Sequence, residues 1–175
     1  MAKVSVSRRA VSGIIFIVAG ALVVLAAILP LLGVAVPWLG ALAYIAIAVA
    51  LAVLGFGAVN STLAKITLIA AAVGWLLLGI AGLGIALPAV LITIAAIVAG
   101  LGTLIAAIVL YVGKEITNMA AVAFIVSGVL ALILLLLSPL AVFALDANLA
   151  LVLAILFGVA LIVTGVLFRR PEGRR

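Results

Sequence analysis

The chain contains no cysteine and no histidine. Disulfides, thiolate nucleophiles, imidazole-ligated haem and histidine proton relays are therefore excluded. Of its 175 residues only three are acidic, and charged residues of both signs make up 7%. A water-soluble domain of this length needs far more polar surface. The nine Lys and Arg give a formal charge of +6, yet they sit at the termini and turns. Such a distribution sets membrane topology and builds no basic face for nucleic acid. No metal or cofactor is expected, although quinone or carotenoid contact would need no coordinating side chain.

What is present is overwhelmingly apolar, at 72% hydrophobic residues. Six long runs can be placed at about Val11–Leu32, Trp38–Val59, Ile66–Ile85, Pro88–Val112, Met119–Leu137 and Leu149–Phe168. Each is long enough to cross a hydrocarbon layer of about 30 Å as a helix. A helix is required, because an open strand in lipid leaves backbone polar groups unpaired. One membrane domain covering residues 1–175 is predicted, with residues 1–10 and 169–175 as basic tails.

The connections alternate in character. Gly33–Pro37 and Gly84–Leu87 are uncharged, and Pro139–Asn148 holds only Asp146. By contrast, Asn60–Lys65 contains Lys65, Gly113–Asn118 contains Lys114 and Glu115, and Arg169–Arg175 holds four arginines. With both termini cytoplasmic, every Lys and Arg lies inside, so the positive-inside rule predicts that orientation in a cell inner (plasma) membrane. Ser7-Arg8-Arg9 has the arginine pair of a twin-arginine signal, but the run that follows is longer than a signal h-region. The plainer expectation is an uncleaved first helix.

Local residues mark the ends. Pro37 and Pro88 suit the openings of helices two and four, where a missing N–H costs nothing. Asn60, Ser61 or Thr62 can cap helix three, Thr117 or Asn118 helix five, and Asp146 helix six. Pro30 and Pro139 should bend or end helices one and five. Trp38 and Tyr111 sit where outer and inner aromatic belts are expected.

At an offset of 54 residues the chain aligns with itself: Gly20, Gly74 and Gly128 fall in register, as do Leu22, Leu76 and Leu130. The even helices share a small-residue ladder that includes Gly57, Gly100, Gly158 and Gly165. In lipid, helices associate where small side chains let backbones approach, so these seven glycines are the expected packing positions. The architecture predicted is an all-α membrane protein of three parallel-oriented hairpins, about 11–59, 66–112 and 119–168, in a pseudo-threefold bundle.

Three tandem hairpins with Gly20-Ala21-Leu22 to Pro30, Gly74-Trp75-Leu76 to Pro88 and Gly128-Val129-Leu130 to Pro139 resemble the HdeD-like family of acid-resistance membrane proteins, a short repeat of unknown function. The resemblance covers about Arg9–Arg170. It implies a six-span inner-membrane protein linked to stress resistance, without an established catalytic activity and with no assigned functional residue.

No run contains Asp, Glu, Lys or Arg. Pumps and coupled carriers place ionisable groups in the membrane despite a cost of about 2.5–3.5 kcal/mol each. Asp146 and Glu115 are expected on opposite sides of the membrane and cannot form an acid–base pair, so an enzyme is not expected. The hydroxyls Ser12, Tyr44, Thr67, Thr93, Thr103, Ser127 and Thr164 could line a narrow polar path. More plainly, they bond back to helix backbones. Trp75 either fills space between repeats or meets lipid or a partner, while Gly79, Gly82 and Gly84 make a hinge, a groove or a tight contact. Arg169, Arg170, Arg174 and Arg175 could attract anionic lipid. Three functions follow: a non-enzymatic HdeD-like protein acting through packing in envelope or acid stress, an accessory subunit of a larger complex or homo-oligomer, or a facilitator for small neutral or apolar solutes.

Overall fold

Each long uncharged run becomes a helix: α1 (Ala2–Ile28), α2 (Trp38–Gly57), α3 (Thr62–Gly82), α4 (Ala89–Val112), α5 (Asn118–Leu140) and α6 (Ala147–Arg169). The computed structural model describes the backbone of residues 2–140 and 147–169, and side chains at residues 8–135 and 148–169. Among the described residues there is no strand, and six helices are long and apolar enough to cross a membrane.

The ends follow from local chemistry. Pro30 stops α1 as an α-helix, and Leu29–Leu32 tightens into a 3₁₀ turn. Gly33 then takes φ +75°, and Val34 N–H returns to Leu29 O at 3.0 Å. That left-handed position is one a Cβ would oppose. Ser61 is the N-cap of α3, its hydroxyl accepting from Ala64 N–H at 3.3 Å. Thr117 Oγ1 accepts from Ala120 N–H at 3.4 Å at the start of α5. Pro37 and Pro88 immediately precede α2 and α4. Pro139 falls in the last turn of α5, which runs on to Leu140. Asp146, the expected cap of α6, lies outside the described residues.

At the N-terminus α1 is already helical from Ala2, so the basic residues there stand on its first turns. Neither Gly nor Pro interrupts Ala2–Ser12, and Arg8 and Arg9 reach carbonyls at the end of α2.

The helices form a ring in chain order. Each packs on its sequence neighbours, and α6 returns to α1 in the most extensive contact of all. Among the described residues no other pair of helix backbones comes close. Side-chain size is sorted across the ring wall. Large aliphatics such as Val18, Leu25, Ile94, Ile105, Val152 and Val163 point outward, while buried positions are rich in alanine, including Ala43, Ala50, Ala71, Ala99 and Ala107. So continuous an apolar exterior is unsuited to water. It suits lipid, where close backbone approach, not escape from water, holds helices together.

Candidate functional site

The residues that give this bundle its character lie along the ring axis, at the helix seams and at the end bearing the N-terminus. On the axis, side chains bridge where backbones do not meet. Phe16, Phe124 and Phe168, from α1, α5 and α6, form an edge-to-face triad with centroid separations of 5.8, 5.9 and 5.7 Å. A second layer stacks Trp75 of α3 on Phe157 of α6 at 5.8 Å and 10°, with Tyr44 of α2 at 5.2 Å from the indole. Edge-to-face and offset arrangements of this kind add about 0.5–1.5 kcal/mol per pair beyond packing.

Trp75 is only 1% exposed. Of the alternatives in the sequence, the structure shows the space-filling one: the indole lies in the interior of the bundle. Its Nε1–H donates to Thr103 Oγ1 at 3.1 Å, which explains how a polar N–H is accommodated mid-span. Gly79 and Gly82, the light end of α3, both face α2 around Ala41, so this segment is a close contact.

Among the described residues, the serine and threonine hydroxyls within the spans are engaged with backbone or with one another. Ser12 donates to Ala50 O of α2 at 2.8 Å, and Thr103 to Ala99 O at 2.6 Å. Ser127 Oγ and Thr164 Oγ1 lie 3.2 Å apart, so one hydroxyl donates to the other, while the acceptor hydroxyl donates to the carbonyl of its own helix, Ala123 O or Ala160 O. Thr67 and Thr93 bond within their own helices. Each sequential hairpin therefore carries a hydroxyl-based link between its two helices: Ser12 to Ala50, Trp75 to Thr103, and Ser127 to Thr164.

Glycines occupy the seams between hairpins. Gly20 faces Gly158 and Gly13 faces Gly165 where α1 meets α6. Gly100 and Gly128 meet Leu132 and Leu104 across the α4–α5 seam. Gly74 differs from its register partners: it faces Ala95 and Ala99 of α4, inside its own hairpin. Gly57 is not at a helix seam, since the space beside it is taken by the Arg8 side chain. Gly13, absent from the expected packing set, lies outside the 54-residue register, although its seven-residue spacing from Gly20 matches that of Gly158 and Gly165.

At the end bearing the N-terminus, sequence reasoning missed the tying role of Glu115. Its carboxylate accepts from Asn60 N–H at 2.7 Å and Ser61 N–H at 2.8 Å, at the start of α3. Arg9 donates to Glu115 O at 2.6 Å and to Ala58 O at 3.4 Å. One cluster thus ties α1, the α2–α3 turn and the α4–α5 turn. Lys114 makes this geometry with φ +53°, as Glu115 N–H closes back on Leu110 O at 3.0 Å. The available signal was that Glu115 is the one acid in the basic turns between runs. Arg8 and Arg9, meanwhile, place cations at the C-terminal end of α2, where the helix dipole favours them.

Arg169 lies in the last turn of α6, with its Cγ near Gly13. Arg170, Arg174 and Arg175 lie outside the described residues. Among the described residues, no three His, Cys, Asp or Glu side chains gather as a metal set.

This geometry defines a multi-pass helical membrane protein with an aromatic-filled axis. Compared with known proteins, the chain matches no family model, no curated protein and no solved structure.

Proposed function

We propose that this protein is a non-enzymatic resident of the cell inner membrane that acts through packing and association, in the manner of HdeD-like proteins, in tolerance of acid or envelope stress. The observation that carries the packing role is the bundle interior. Two aromatic layers span the ring, and the serine and threonine hydroxyls that could have lined a path bond to carbonyls or to each other. This weighs against a solute facilitator. The accessory-subunit reading, with Trp75 or the light end of α3 at the contact, is supported less, because Trp75 is interior and Gly79 and Gly82 pack on α2.

The stress role rests on the resemblance of the three Gly–Leu–Pro hairpins. In this reading the hairpins face the same way, with both termini, Lys65 and Lys114 cytosolic. A hydroxyl-based link within each hairpin and glycine contacts between hairpins support a threefold plan, with Gly74 as its departure. Deleting the gene and measuring survival under acid and envelope stress tests the role. Reduced survival, restored by the wild-type protein, is expected, and unchanged survival would contradict it.

A further inference from the structure

Five of the six seams are closed by glycines, by the Ser12 link or by the Trp75–Thr103 pair. Among the described residues, the seam between α5 and α6 is the loosest. Its helices are joined by the Ser127–Thr164 contact, and outside that contact lies a groove of about 740 Å³ with an almost wholly apolar lining. Its floor includes the half-buried Ala123 and Ala160, whose small side chains leave the space open.

From this geometry we infer that the groove holds one acyl chain of an anionic phospholipid, drawn from the leaflet on the side of the N-terminus. Three observations select that occupant. The groove runs from Asn118 to Leu130 on α5 and from Leu167 to Leu156 on α6. At 1.5 Å per residue this is about 18 Å, close to the roughly 15 Å of one leaflet's hydrocarbon. A spanning helix of a partner, or of a second copy, would call for a groove of about 30 Å.

The mouth opens at the end where α5 begins and α6 finishes, which is also the end of Arg8, Arg9, Lys65, Lys114 and Arg169. Glu115, the one carboxylate among the described residues, is turned to Asn60 and Ser61 N–H. That end therefore presents positive charge to headgroups, which favours phosphatidylglycerol over a zwitterionic lipid. The inference depends on the membrane fold alone and stands or falls separately from the stress role.

The full chain, purified in mild detergent and supplied with equal phosphatidylglycerol and phosphatidylcholine, is examined by native mass spectrometry through successive washes. One phosphatidylglycerol per chain is expected to remain, in about tenfold preference over phosphatidylcholine. Ala160→Phe, which fills the floor, should abolish retention. Ala123→Leu gives an independent, milder filling, and unchanged emission from Trp75 reports that the ring is intact. Failure to retain any lipid, equal retention of both lipids, or undiminished retention in both filled variants would overturn the assignment. So would a dimer that dissociates when the groove is filled, because the occupant would then be a second copy.

Discussion

Gly13 and Gly165 face each other so closely that a Cβ built on Gly13 would stand 2.6 Å from the carbonyl oxygen of Gly165. Seven residues along each helix the contact recurs, and a Cβ on Gly158 would stand 2.8 Å from Gly20 O. A repeat of seven keeps one seam in register along two gently supercoiled helices. The first and last helices thereby close the ring, so its integrity depends on residues at opposite ends of the chain.

Glycine replacements should separate by seam. Gly20→Ala forces α1 from α6 and should cost about 1–3 kcal/mol, the usual penalty of overpacking. Gly40, inside α2, has nothing within 4 Å of a built Cβ. Gly40→Ala should instead stabilise by about 0.5–1 kcal/mol by restricting the unfolded chain. Reversible unfolding in mixed micelles measures both, and equal effects would contradict the seam assignment.

Trp75 should be shielded from the bilayer while Trp38 is not, given exposures of 1% and 52%. In Trp38→Phe, the remaining emission should resist brominated lipids. In Trp75→Phe, emission should be quenched, and stability should fall by about 1–2 kcal/mol through the lost hydrogen bond and stacking. Strong quenching of Trp75 would mean that the interior admits lipid.

The turn that carries Glu115 makes two opposite predictions. Glu115→Ala removes the acceptor for Asn60 and Ser61 N–H and should cost about 1–2 kcal/mol. Lys114→Gly relieves a left-handed backbone and should gain about 1 kcal/mol without disturbing the cluster. Both are read from the same unfolding curves.

Orientation is tested by membrane-impermeant amine labelling of sealed cells. Lys65 and Lys114 should react only after the membrane is opened. In an Ile85→Cys variant, the thiol in the opposite turn should react from outside with a membrane-impermeant maleimide.

Much of the fold was legible because membrane helices are dictated by length and apolarity. Apart from the start of α1, which reaches back to Ala2, the observed helices begin and end within a few residues of the uncharged runs, as α4 at Ala89–Val112 does. Ser61 and Thr117 were readable as caps for the same local reason. Seam partners were not, because a glycine's neighbour is set by how two distant helices rotate. Gly74 and Gly128 share a register but meet different sides of α4, and Gly57 accommodates Arg8 instead of a helix. Trp75 was ambiguous for a related reason: apolar residues point both inward and outward, so periodicity cannot tell core from lipid face. The tying role of Glu115 was not legible because its partners are backbone N–H groups, which leave no mark in side-chain spacing.

Closure of α1 on α6 is the relationship on which the account most depends, and the natural absence of cysteine makes it directly measurable. Ile17 flanks Gly165, and Ile162 flanks Gly20. With cysteines at both positions, oxidation in native membranes should consume both free thiols of one chain, as read by mass. A control pair at Ile17 and Ile105, on helices that do not touch, should keep its thiols. If the Ile17–Ile162 pair stays reduced while the control pair joins, the ring is not closed as described.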